Sequence, residues 1–244
     1  MRFLSYELSE DTPTYVGNPP VMLKQVSSIA DGEAANWFSI VTINHSGTHI
    51  DAPWHFDGAG LHLEELAPES FVYTSAVLID LPKDRDELIR SNDLELYSER
   101  LARADLVILR TGFGERYRTT DPVTYGSAGP GFEESAGQYL RGLPLLRCAM
   151  MDIISASAPA HPEAGVAFHR TALGSSVSGA LNPYVLLVED CRLDADLTPE
   201  DLAVVIVAPL RIRPSDGGLC TVLAFSDDDL VTLRRGVSGR TEAT

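Results

Sequence analysis

Twelve residues, His45-Ser-Gly-Thr-His49-Ile-Asp51-Ala-Pro-Trp-His55-Phe56, hold three of the six histidines in the 244-residue chain, with one aspartate among them. Neutral imidazole and carboxylate are the usual protein ligands for zinc and for manganese-like divalent ions. An imidazole that is not a ligand is the side chain best suited to moving protons near neutral pH. The stretch therefore offers candidates for metal binding and for acid–base work at once.

Regular backbone does not bring these groups to one point. In a continuous strand, residues 45, 49, 51 and 55 share a face, but His45 then lies about 13 Å from His49. One ion with ligand bonds of about 2 Å cannot span that distance. In a continuous helix His45 and His49 share a face, Asp51 points away, and Gly47 and Pro53 are poor interior residues. The helical zinc-protease motif requires Glu directly after the first His, and Ser46 stands there. The spacing predicts a tight, irregular loop. Gly47 lets the backbone turn sharply or approach the site closely, and Pro53 fixes the exit.

The stretch matches His-x-Gly-Thr-His-x-Asp-x-Pro-x-His-Phe and resembles the signature of the metal-dependent cyclase family, which includes bacterial kynurenine formamidases and isatin hydrolases. Weaker likenesses follow in order along the chain. They are Leu8-Ser9-Glu10, Pro13 to Asn18, Leu109 to Gly112, Met151 to Ser155, His169 to Leu173, Leu187 to Glu189, Ala208 to Leu210 and Asp216 to Gly218. The resemblance implies a first ion on His45, His49 and Asp51. It implies that Asp51 bridges to a second, completed by His169 and Glu189. It casts His55 as proton donor and acceptor, and Tyr15 as an aromatic wall of the pocket. Zinc or manganese, one or two ions per chain, is the implied cofactor, and a homodimer or homotetramer the implied assembly. The segment between His169 and Glu189 is longer than the formamidases lead one to expect. Its extra residues, Gly174 to Leu181, are small and suit a loop able to line or lid the pocket.

The rest of the chain must position these groups. Apolar, β-branched runs recur at Phe38–Ile43, Val72–Leu81, Leu106–Leu109, Tyr184–Val188, Val204–Val207 and Leu219–Phe225, and predict strands. Asp216-Gly217-Gly218 predicts a turn between the last two. Pro130 to Arg141 has a Pro start, early acids and a late Arg, which suit a helix. Thr198-Pro199-Glu200-Asp201 reads as a cap and first turn. Asp86–Ile89 and Leu94–Ala102 suggest short helices, and 118–131 a loop. Together they predict a β-rich α/β domain, one unit over residues 1–244. The family likeness implies a swivelling β/β/α fold.

Composition narrows the partners. A net charge of −16 argues against nucleic acid. No run of about eighteen apolar residues appears, so no membrane span is expected. The first residues lack the apolar core of a signal peptide, which predicts a cytoplasmic protein. Cys148, Cys191 and Cys220 are widely spaced, which argues against a disulfide framework or a cysteine zinc site. The glycine fingerprint of dinucleotide folds, the phosphate-binding loop and the serine nucleophile elbow are all missing. Asp152, in an apolar run, is expected to serve hydrogen bonding.

The expected chemistry is metal-assisted hydrolysis of an amide or lactam bond in a small, aromatic or cyclic molecule. Metal-activated water attacks, His55 shuttles the proton, and Tyr15, Trp54 and Phe56 form the pocket walls. A cyclase or dehydratase acting on a biosynthetic intermediate, and a non-catalytic metal-binding protein, are the alternatives.

Overall fold

The computed structural model describes residues 1–238, so the last six residues of the expected 1–244 unit lie outside the described residues. A nine-stranded mixed sheet dominates. Its parallel half runs Ala76–Asp80, Leu106–Arg110, Cys148–Met151 and Leu186–Glu189. These strands are near-continuous apolar runs, as strands covered on both faces must be. Its antiparallel half is built from Gly217–Phe225, Val204–Pro209, Val72–Tyr73 and the short Arg2–Phe3, which pairs with Gly217–Phe225. The three-residue strand His49–Asp51 joins the halves, antiparallel to both Leu186–Glu189 and Gly217–Phe225.

Alternation along the strands divides the interior into two cores. Ile79, Val107, Leu109, Met151 and Leu187 face a helical layer that includes Leu140 and Phe168, with Phe132 of a short strand packed among them. Leu78, Ile108, Met150, Val188 and Ile50 face the opposite way, onto Tyr73, Val205, Val207 and Val222. Ile50 is fully buried in the second core, which turns its neighbours His49 and Asp51 toward the helical side.

The helix Pro162–Leu173 begins with Pro, whose missing N–H costs nothing at that position. Its last carbonyls are satisfied by Arg141, a buried residue of the helix Glu134–Arg141. The guanidinium donates to the carbonyls of Thr171 at 2.8 Å, Ala172 at 3.2 Å, Gly174 at 2.6 Å and Asn182 at 2.8 Å. One side chain thus ties down both the helix that carries His169 and the ends of segment 174–182. Arg141→Met should strand these acceptors and cost at least ~3 kcal/mol, read from urea unfolding.

Most of the expected strands form, with shifted ends. Residues 72–81 break into two strands at Thr74 and Ser75, whose amides bond the Asp105 carboxylate. Asp216 to Gly218 is no turn: Gly217 and Gly218 already belong to the last long strand. Pro130 to Glu133 is not helical. Gly131–Phe132 pairs with Leu88–Ile89, so 86–89 is a turn and strand instead of a helix. The region 118–131 contains a helix, Pro122–Ser127, capped by the Asp121 side chain. Met22–Ser27, which lacks a strong apolar run, pairs with Trp37–Val41 in a separate two-stranded ribbon.

Candidate metal centre

The expected irregular loop is half right. Residues 44–48 form a turn, with Gly47 at φ +63°, a left-handed conformation that a side chain disfavours. His49–Asp51 is a strand within the sheet, because both its edges are paired. Pro53–His55 is a single 3-10 turn with Pro at its start. Strand geometry puts His49 and Asp51 on one face, and the turns on either side bring His45 and His55 round to join them.

Register supplies the remaining donors. Glu189 lies directly across from His49, and His49 Nε2 approaches Glu189 Oε2 at 3.3 Å. His169 comes from the covering helix, with its Nε2 3.3 Å from Glu189 Oε1 and 3.8 Å from Asp51 Oδ2. Asp51 Oδ1 sits 2.9 Å from His45 Nδ1 and 3.5 Å from His49 Nε2. Two imidazoles are oriented from behind: His49 Nδ1 donates to the Gly47 carbonyl at 2.8 Å, and His169 Nδ1 to the Gly165 carbonyl at 2.7 Å. That leaves Nε2 of each ring turned toward the carboxylates, the usual outer support of a metal-binding histidine.

Burial would make this cluster costly without charge balance. Burial and the neighbouring Glu189 oppose ionisation of Asp51, but the facing imidazoles of His55 and His45 outweigh them and keep its pKa low. Burial likewise opposes the Glu189 charge, and hydrogen bonds from His169 and His49 hold it well below the usual carboxylate range. For His45, burial disfavours the cation, yet hydrogen bonds to Asp216 and Asp51 push it up to about 10. One atom is left over: Asp51 Oδ2 is buried and has no hydrogen-bond donor. A buried carboxylate oxygen without a donor, among imidazole nitrogens and a second carboxylate, fits a divalent cation.

Three sets of donors converge within 4.8 Å: His45, His49 and Asp51; Asp51, His169 and Glu189; and His45, His55 and Asp216. The first two are the sets implied by the sequence likeness, with Asp51 common to both. The third contains a residue that sequence reasoning missed. Asp216 Oδ2 lies 2.7 Å from His55 Nδ1 and 3.0 Å from His45 Nε2, while Asn44 Nδ2 donates to Oδ1 at 2.6 Å. These imidazoles hold Asp216 far below the ordinary carboxylate pKa. The signal was present, since an acidic residue precedes paired glycines, but it read as a turn. Gly217 follows because a Cβ there would stand 2.6 Å from the Ile50 carbonyl and 2.8 Å from His45 Cε1. Gly217→Ala should push His45 aside and strain the sheet at the Ile50 carbonyl, weakening metal binding by roughly 10- to 100-fold in a chelator competition.

A cavity of about 340 Å³ opens over the cluster, lined by Tyr15, Asn18, Ile43, His45, His55, Phe56 and His169 among others. Tyr15 and Phe56 stand where a pocket wall was expected, and Phe56 also stacks on His169 at 4.5 Å. Trp54 does not line it. The 3-10 turn points this ring away, and it stacks on His62 at 3.9 Å, which corrects its expected role as a wall. Segment 174–181 does not line the cavity either; Ser175 bonds the Asp57 carboxylate through its amide at 2.9 Å and through its hydroxyl. Asp152 serves hydrogen bonding as expected, accepting from Thr111 and Gly112.

The family model described as putative cyclase matches residues 3–158. The chain belongs to this family. The match covers His45 to His55 and stops short of His169, Glu189 and Asp216, which the structure adds to the cluster. An uncharacterised protein of Haemophilus influenzae is 44% identical over 97 residues, covering 40% of the chain and 68% of that protein. A kynurenine formamidase of Geobacillus thermodenitrificans is 30% identical over 122 residues, or 49% of the chain, and the chain spans 58% of that relative's length. Isatin hydrolase A of Labrenzia aggregata superposes with a TM-score of 0.75, covering 93% of both chains at 22% identity, a likeness of fold. Isatin hydrolase A of Ralstonia solanacearum gives 0.74 at 25% identity, covering 91% of the chain and 90% of that structure. The cyclase-family fold is thus the β-rich α/β architecture expected from the sequence. No described helix is long and apolar enough to cross a membrane.

Proposed function

We propose that this cyclase-family chain is a metal-dependent hydrolase of a C–N amide or lactam bond in a small aromatic or cyclic substrate. The observation that carries this reading is Asp51, buried between two donor sets with Oδ2 unsatisfied, while its partners His45, His49, His169 and Glu189 line a cavity that also receives His55. The relatives named above, a formamidase and isatin hydrolases, support the same bond class. His45, His49 and Asp51 would hold one ion, and Asp51, His169 and Glu189 a second. Mixed nitrogen and oxygen donors suit zinc or manganese. Such an ion, when bound, polarises a carbonyl and makes water acidic enough to attack near neutral pH.

The chain's own residues do the rest. Asp216 accepts from His55 Nδ1, which fixes the ring and leaves Nε2 as the free nitrogen. His55 takes the proton from the attacking water and returns it to the leaving nitrogen, so that the amine departs neutral. Tyr15, Ile43 and Phe56 give the substrate apolar contact, and a cavity of about 340 Å³ suits a small molecule. Turnover of N-formylkynurenine, isatin-like lactams and simple esters, before and after chelation, tests the reading. Activity on an amide or lactam that vanishes in chelator and returns with zinc or manganese is expected. Full activity at verified zero metal would sink it.

A further inference from the structure

The strand Leu186–Glu189 ends on the residue that supplies a metal donor. The next residue, Asp190, breaks the extended run: it is fully buried and left-handed, at φ +51°. A side chain disfavours that conformation, and it persists where the surroundings fix it. Four residues do so here. Arg118 donates Nε to Oδ1 at 2.8 Å and Nη2 to Oδ2 at 2.9 Å, and the Tyr125 hydroxyl donates to Oδ1 at 2.7 Å. The Thr48 hydroxyl donates to the Asp190 carbonyl at 2.6 Å, and the Asp190 amide to the Ile153 carbonyl at 2.8 Å. The Glu189 carboxylate meets the same stretch after Met151, accepting from the Ala156 amide at 2.7 Å.

Stability does not account for this charge. A buried ion pair gains little over apolar residues of the same volume. Conformation does not account for it either, since glycine or asparagine takes a left-handed turn without bringing a charge. What the pair adds is direction. Two parallel guanidinium–carboxylate bonds fix the plane of both groups, and Arg118 is itself held over the Tyr6 ring at 3.6 Å. We infer that Asp190, clamped by Arg118 and Tyr125, is a positioning residue for Glu189. The clamp fixes the backbone where the strand ends, and so sets the line along which the Glu189 carboxylate reaches the ion it would share with Asp51 and His169. Through Thr48 the same residue braces the turn that precedes His49. The inference rests on the ligand sets of the proposed metal centre, whichever bond that centre cleaves.

Zinc binding to the chelator-stripped full chain, read by chelator competition, tests this. Glu189→Gln identifies the ion this carboxylate holds, as the one that variant loses. Arg118→Ala should weaken the same ion by roughly 10- to 100-fold. In the metal-free chain it should also quicken hydrogen exchange at the Ala156 amide, which reports the Glu189 carboxylate directly, while Leu187 and Val188 inside the strand stay protected. The double variant Arg118→Met, Asp190→Gly removes both charges and leaves a residue free to hold φ +51°. Its urea midpoint should recover above that of Arg118→Ala, and its zinc affinity should not. Should Arg118→Ala fail to fold, Tyr125→Phe removes one bond and no charge, and should loosen the same ion by roughly 3- to 10-fold. Wild-type zinc affinity and Ala156 exchange in folded Arg118→Ala or in Tyr125→Phe would overturn the inference. So would a double variant that regains zinc affinity together with stability, which would make the clamp purely structural. Glu189→Gln that keeps every ion would remove Glu189 from the ligand set and overturn the inference with it. None of these readouts involves turnover, so failure here and failure of the hydrolase reading remain distinguishable.

Discussion

Asp51→Asn is expected to abolish metal binding and turnover together. The side chain is almost wholly buried, belongs to two of the converging donor sets, and brings the one orphaned oxygen in the cluster. Asn preserves the shape but removes the charge that balances His45, His49 and His169, and it offers an amide N–H where a cation would sit. Metal affinity should fall more than ~100-fold and turnover at least ~10³-fold, since one carboxylate serves both sets. Elemental analysis of the purified variant, alongside turnover at saturating added zinc or manganese, checks both halves. Full metal occupancy in Asp51→Asn would remove this residue from the ion set and leave its orphaned oxygen unexplained.

His55→Ala should behave in the opposite manner, keeping its metal while losing turnover by ~10²- to 10⁴-fold, the usual worth of a general acid–base group. Asp216→Asn should follow it at smaller amplitude, about 10²-fold, because His55 would keep its place but lose the acceptor that fixes its Nδ1 proton. The paired variants separate two arrangements that the geometry brings close together. His45, His55 and Asp216 also converge within 4.8 Å. Metal content that falls in His55→Ala would make His55 a ligand, and the proton would have to move through another group. Metal retained in both, with turnover lost in both, supports the shuttle. The double variant should be scarcely worse than His55→Ala, since the carboxylate acts through the ring.

Other parts of the molecule show why the core of the site could be read in the chain and its edges could not. Residues 45–55 are close in sequence, so their types and spacing already limited the backbone to something tight and kinked. The geometry bears this out at Gly47 and Pro53. The strand within it escaped notice because three residues are too few to show alternation, and its pairing depends on partners far along the chain. Met22–Ser27 was missed because Lys24 and Gln25 interrupt its apolar residues, so no run marks it, and its pairing depends on Trp37–Val41. Trp54 illustrates the reverse error. An aromatic beside a catalytic histidine looks like a wall, but a single 3-10 turn separates neighbouring side chains widely enough to send it to His62 instead.

What the amino-acid sequence by itself determined was the donor chemistry: imidazoles and one carboxylate at spacings that no continuous helix or strand could bring to one point, and a family likeness that implied the more distant His169 and Glu189. Only the tertiary structure decided that Glu189 faces His49, that His169 descends from a helix onto Asp51, and that Asp216 holds His55. The physical reason is distance along the chain. Local covalent geometry restricts neighbours within a few residues, whereas strand register and helix packing set the contacts between residues more than a hundred positions apart, and those arise from burial of the whole sheet.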